Sequence, residues 1–294
     1  MTTSTHSATP GIERVGVAGS GIMGAGIAEL CAKRGLDVKV AVFSETSLRT
    51  APQRLAASLE RAVAKGRLTG QERDAALDRV SFTRDLADLA DRQLVVEAVK
   101  EDEQLKRDLF ATLDKTVEDP DAILATNTSS LPVVRLASAT RRPGQVLGIH
   151  FFNPVPALPL VELVPSVLTE ATVAERALVF VRDTLGKQPI AAPDRAGFLV
   201  NALLFPYLLS AIRMVESGLA TAETIDQGMT QGCAHPMGPL RLADLIGLDT
   251  TVSIAQAMYE EFKEPLYAPP PLLLRLVEAG HLGKKTGRGF HTYA

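Results

Sequence analysis

The stretch that decides the fold is VGVAGSGIMGAGIAELCAKRG, residues 15–35. The short apolar run at 15–18 reads as a buried strand, and the residues after Ile22 read as a helix that stops on Gly35. Between them lies GSGIMG, with glycines at 19, 21 and 24. In a strand, loop and helix context each glycine has its own task. The first permits the tight turn, the second lets the backbone approach a pyrophosphate, and the third lets helix pack closely on strand. The helix N-terminus adds unpaired N–H groups and a positive dipole end. A dinucleotide is therefore expected on Gly19, Gly21, Ile22, Met23 and Gly24. The motif alone does not separate flavin from nicotinamide.

Outward from this segment, apolar strand-like runs recur at VKVAVF (38–43), LVVEAV (94–99), AILAT (122–126) and QVLGI (145–149), with helical patterns between them. That alternation predicts βαβ units and a mostly parallel sheet. Beyond Pro193 the pattern becomes helical, over 196–217, 222–231, 250–262 and 271–279, with APPP (268–271) as a helix entry. The expected class is α/β, a Rossmann-type N-terminal domain followed by an all-helical C-terminal domain. QPIAAPD (188–194) carries two prolines and marks the boundary. The expected divisions are a loose tail at 1–10, a dinucleotide domain at 11–190, and a helical substrate and dimerisation domain at 191–294.

The 294 residues and 46% hydrophobic content suffice for a core in each of two domains. A formal charge of −3 gives no global field that would draw the chain onto nucleic acid or anionic lipid. No apolar stretch reaches the roughly 18 residues of a membrane span, and the first ten residues lack the basic and apolar segments of a secretion signal. Cys31 and Cys233, far apart, form neither a disulfide framework nor a metal-binding pattern. The expectation is a cytoplasmic protein with no metal and no nucleic-acid or membrane partner.

The second strand departs from the dinucleotide pattern. An acidic residue at its end ordinarily binds the adenosine ribose 2′-hydroxyl, yet VKVAVFSE places Val42 and Phe43 there. Without that carboxylate the repulsion that excludes a 2′-phosphate is also gone, and Ser44, Thr46 and Arg49 lie near enough to contact one. Glu45 follows close by as a substitute ligand for the ribose. NAD and NADP both remain open.

His150 directly follows QVLGI, at the carboxyl end of a sheet strand, where open α/β sheets hold their ligands. An imidazole there can take a hydroxyl proton as hydride leaves the same carbon. Glu162 lies in LPLVELV, a carboxylate among apolar neighbours, which is costly without a partner. Pairing with His150 would fix the ring's tautomer and stabilise its charged form. Either residue alone is more often structural; beside a nucleotide motif the pair reads as catalytic.

Seven blocks now define a resemblance: GSGIMGAGIAE, VVEAVKEDEQLKRDLF, LATNTSSLPV, GIHFFNPVPALPLVELV, GFLVNALLFPYLLSAI, HPMGPLRLADLIGLDT and GKKTGRGF. In order and spacing, from about Glu13 to Tyr293, the chain resembles the L-3-hydroxyacyl-CoA dehydrogenases, including the bacterial 3-hydroxybutyryl-CoA dehydrogenases. The resemblance implies His150 as general base, Glu162 as its partner, and Ser129 and Asn201 as polar groups of the reacting centre. It implies dinucleotide contacts from Glu101, Lys106, Asn153 and Lys285. It places Ser58 and Lys65, with Ser129, at coenzyme A. It also implies a homodimer formed by the helical domain. At the family's ribose-binding acid this chain has Val42.

Plainer roles stand beside these. KEDEQLKRD also fits the solvated face of a helix, Asn153 before Pro154 fits a turn, and Lys65 fits an exposed helix. Two other functions compete: the same chemistry on a hydroxyacyl group held by an acyl carrier protein, and a non-catalytic nicotinamide-binding protein. Enzymes of branched hydroxyacids that use a lysine base share the opening motif, but HFFNP with Glu162 disfavours them.

Overall fold

The computed structural model describes residues 11–293, so the expected tail at 1–10 lies outside the described residues. The dinucleotide-binding unit runs β1 (Arg14–Ala18), α1 (Ile22–Lys33), β2 (Asp37–Ala41), α2 (Glu45–Ala64), α3 (Gly70–Asp78), β3 (Val80–Thr83), β4 (Leu94–Glu97), α4 (Glu103–Thr116), β5 (Ile123–Thr126), α5 (Val133–Ala137), β6 (Val146–Phe151), β7 (Leu160–Pro165), α6 (Ala171–Val179) and β8 (Gln188–Ala191). The strands form one sheet in the order β3-β2-β1-β4-β5-β6-β7-β8. Every neighbouring pair is parallel except β6 with β7. Strands β4, β5 and β6 are buried at every position, because helices cover both faces, and that is why they read as continuous apolar runs.

One strand departs from the sequence reading. Strand β3, VSFT, was not anticipated; it is a half-buried edge strand with no apolar run to announce it. The reversal at β7 has a length argument. Only the residues 152–159 separate β6 from β7, too few for the crossover of a dozen or more residues that a parallel return needs.

The second unit is helical: α7 (Val200–Glu216), α8 (Ala222–Gly232), α9 (Pro239–Ile246), α10 (Leu248–Phe262) and α11 (Pro271–Glu278). Its core gathers Phe205, Leu209, Ile212, Leu240, Leu248, Ala255, Met258 and Leu273. Helix α9 is absent from the sequence reading. Gly247, at φ 101°, separates it from α10 in a conformation that side chains resist. The first unit runs through Thr128 and resumes from Pro132 to Asp194; the second holds Ser129–Leu131 and everything from Arg195 on. Among the described residues, no helix is long and apolar enough to cross a membrane.

Candidate active site

The loop after β1 is built for an anion. Gly19 has φ +116°, and a Cβ there would lie 2.5 Å from the Ala98 carbonyl oxygen. A Cβ on Gly24 would fall 2.0 Å from the Gly19 carbonyl oxygen, so the third glycine is fixed by the close approach of α1 to the turn. Gly21 differs: nothing lies within 4 Å of its Cβ position. It is the N-cap of α1, whose first turn has no side-chain cap and no acidic residue against its dipole, which is a fit for a pyrophosphate. Ile22 is 75% exposed at the same edge.

At the end of β2, Val42 is buried and its N–H donates to the Thr83 carbonyl at 2.8 Å. Ser44 caps α2, accepting the Ser47 N–H at 3.0 Å and donating to the Ser47 hydroxyl at 2.8 Å. The Glu45 carboxylate is held by Arg84 at 2.7 Å.

His150 on β6 and Glu162 on β7 are cross-strand partners in the antiparallel register. His150 Nδ1 lies 2.7 Å from Glu162 Oε2, and both residues are buried. An ionised carboxylate only accepts, so with Glu162 ionised Nδ1 is the donor of this bond. The imidazole also packs edge-on against Phe152, with ring centroids 4.7 Å apart. Asn127 fixes the end of β6, its Oδ1 accepting the Phe151 N–H at 2.9 Å.

Glu101 and Lys106 meet in a second cluster, built around the buried lysine. Lys106 is 1% exposed, so it is no part of a solvated helix face. Its Nζ lies 2.9 Å from Glu97 Oε1 and 2.8 Å from Glu101 Oε2. Thr126 donates to Glu97 at 2.7 Å, and Thr128 donates to Glu101. Burial opposes the lysine's charge, but Glu97 and Glu101 outweigh it and raise its pKa above the ordinary value. Sequence reasoning missed Glu97, although it carries the same signal as Glu162, a carboxylate inside an apolar strand.

Ser58, Lys65 and Asn153 come together, lining one cavity of about 550 Å³. Its wall carries five cationic residues, Lys33, Arg54, Arg61, Lys65 and Arg67, against a single carboxylate, Glu29. Ser58 donates to Glu29 at 2.7 Å, and Arg54 donates to the Ser20 carbonyl of the glycine loop at 3.1 Å. The three arginines were not found in the sequence, since α2 gives no hint of which cations share a face with a cavity. A larger cavity, about 710 Å³ beside Lys187, contains none of the candidate residues.

The remaining candidates belong to the helical unit. Ser129 groups with it, and Asn201 is buried on α7. Lys285 binds both carboxylate oxygens of Asp249, at 2.6 and 2.7 Å. Partial burial pushes the Asp249 pKa up, but the Lys285 ammonium together with backbone N–H donors outweighs it and lowers the pKa.

Comparison with known proteins converges on one family. Residues 14–195 match the 3-hydroxyacyl-CoA dehydrogenase NAD binding domain, and residues 197–293 match the C-terminal domain of the same family. A 3-hydroxybutyryl-CoA dehydrogenase of Mycobacterium tuberculosis is 59% identical over 282 residues, covering 96% of this chain and 99% of that protein. The mitochondrial hydroxyacyl-coenzyme A dehydrogenase of Rattus norvegicus is 41% identical, covering 96% and 91%. Among solved structures, M. tuberculosis FadB2 superposes with a TM-score of 0.96 at 58% identity, over 97% of this chain and 100% of that one. The (S)-3-hydroxybutyryl-CoA dehydrogenase PaaH1 of Ralstonia eutropha follows at 0.90 and 40%, over 96% and 99%. With both domain families matched along the described chain and the glycine loop in place, this protein belongs to the 3-hydroxyacyl-CoA dehydrogenase family.

Proposed function

We propose that this chain oxidises the 3-hydroxyl of a (3S)-3-hydroxyacyl-CoA, or reduces the matching ketone, with His150 as general base and acid. The observation that carries the reading is the 2.7 Å bond between His150 Nδ1 and Glu162 Oε2. It leaves Nε2 basic, and a base of that kind is what alcohol oxidation needs. The substrate hydroxyl donates to Nε2, and the proton moves there as the C3–H bond breaks. Glu162 stabilises the imidazolium that results and holds the ring against rotation. In the reverse direction the imidazolium returns the proton to the carbonyl oxygen. A nicotinamide bound on the glycine loop supplies the two-electron acceptor or donor for C3. Ser129 and Asn201 are the hydroxyl and amide proposed to contact the substrate.

Coenzyme A is favoured over a carrier protein by the cavity with five cations against one carboxylate, which suits the phosphates of a nucleotide. A 3-hydroxybutyryl-CoA substrate fits the named relatives. The helical unit exposes Leu203 (76%) and Leu219 (70%), in line with a homodimer, which sedimentation equilibrium would measure. The test of the base is the turnover of acetoacetyl-CoA by His150→Ala: a loss of about a thousandfold is expected, and an undiminished rate would reassign the base.

A further inference from the structure

Strands β1, β2 and β3 end side by side at the carboxyl edge of the sheet. The Gly19 N–H donates to the Ala41 carbonyl at 2.9 Å, and the Val42 N–H donates to the Thr83 carbonyl at 2.8 Å. One strand over from the glycine loop is thus Val42; one strand further is Arg84, next after Thr83. At about 4.8 Å per strand, the backbone at Arg84 is about 10 Å from the loop. An adenosine whose pyrophosphate rests on that loop spans this distance.

The strand end between them offers the ribose no carboxylate, since Val42 is 1% exposed and apolar. Phe43 beside it is 55% exposed, an aromatic surface of the kind on which an adenine stacks. Among the charges at this edge, Glu45 and Arg84 are paired at 2.7 Å with side chains 66% and 53% exposed. Neighbouring carboxylates are engaged elsewhere: Asp85 accepts the Ala87 N–H, and Asp88 accepts from the Thr83 hydroxyl. An exposed pair of this kind contributes little by itself, so its guanidinium exchanges partners at small cost. A phosphate dianion, held by two parallel N–H bonds, is a stronger partner than one carboxylate oxygen.

We propose that Arg84 receives the 2′-phosphate of NADPH, and that with Val42 in place of an acid it gives this chain the use of NADPH. The proposal rests on the dehydrogenase reading above. Nicotinamide fluorescence titrations of NADH and NADPH, on the wild type and on Arg84→Ala, Glu45→Gln and Val42→Asp, test it by dissociation constant rather than turnover. Arg84→Ala is expected to weaken NADPH about tenfold or more and leave NADH within about twofold, the loss of one charge-assisted contact. Glu45→Gln should tighten NADPH, and Val42→Asp should weaken NADPH while tightening NADH. Tight NADH binding with no measurable NADPH binding, or an Arg84→Ala effect equal on both coenzymes, would overturn this assignment alone. Binding of neither coenzyme would overturn the dehydrogenase reading and this assignment with it.

Discussion

Glu162 stands opposite His150 across the β6 and β7 register, and its Oε2 lies within hydrogen-bond reach of Nδ1, at 2.7 Å, inside the buried sheet. The strands supply the aim: once the register is set, both side chains point to the same face with no loop to order. Glu162→Gln keeps the shape but can present its amide N–H to Nδ1 and trap the wrong tautomer. We predict a fall in kcat of about a hundredfold or more with KM nearly unchanged, read by steady-state kinetics on acetoacetyl-CoA. A Gln variant with full kcat would show that the pairing is only structural.

Lys106 is the second buried charge, and its loss would leave Glu97 and Glu101 facing each other without a cation. Lys106→Met should cost about 3–5 kcal/mol in urea unfolding. The pH dependence has a definite sign. A lysine whose pKa is raised in the folded state contributes stability that is fully present below its ordinary value of 10.5 and is lost as pH rises through the higher folded value. The difference between wild type and Lys106→Met should therefore stay constant up to about pH 10 and shrink above it. A difference that grew on the alkaline side would contradict the ion-pair account.

The strand-loop-helix start and the pairing of His150 with Glu162 were legible because each writes itself locally. Glycines at 19, 21 and 24 follow an apolar run, and Glu162 is a carboxylate inside one. Strand β3 and helix α9 were not legible. One is a half-buried edge of four residues, and the other is cut from α10 only by the backbone angle of Gly247. Lys106 lies in a run of charges that reads as solvent-facing, and only the fold brings Glu97 to it. The arginines of the cavity are invisible for the same reason: sequence gives their charge, and the third dimension decides what faces them.

The glycine loop separates binding from stability. Gly21→Ala meets open space, so the free protein should keep its Tm within about a degree or two while nicotinamide binding weakens about tenfold. Gly24→Ala drives its Cβ into the Gly19 carbonyl and should lower Tm as well. Calorimetry and fluorescence titration together check both. Gly21→Ala with unaltered coenzyme affinity would remove this loop from the coenzyme site.

The basic cavity predicts a dependence on the nucleotide part of the substrate. Lys65→Ala combined with Arg61→Ala should raise KM for acetoacetyl-CoA about tenfold and leave the KM of an acetoacetyl-pantetheine thioester unchanged, since that substrate lacks the phosphates. Equal effects on the two substrates would place coenzyme A elsewhere.

The central claim is that this chain moves hydride and proton at C3 of an acyl-CoA. Its most direct test is the initial rate of acetoacetyl-CoA reduction, followed by the loss of reduced-nicotinamide absorbance with NADH and with NADPH. We predict saturable turnover with (3S)-3-hydroxybutyryl-CoA as product, lowered about a thousandfold in His150→Ala. A wild-type protein that binds a nicotinamide coenzyme and yet leaves acetoacetyl-CoA unchanged with both would contradict the account.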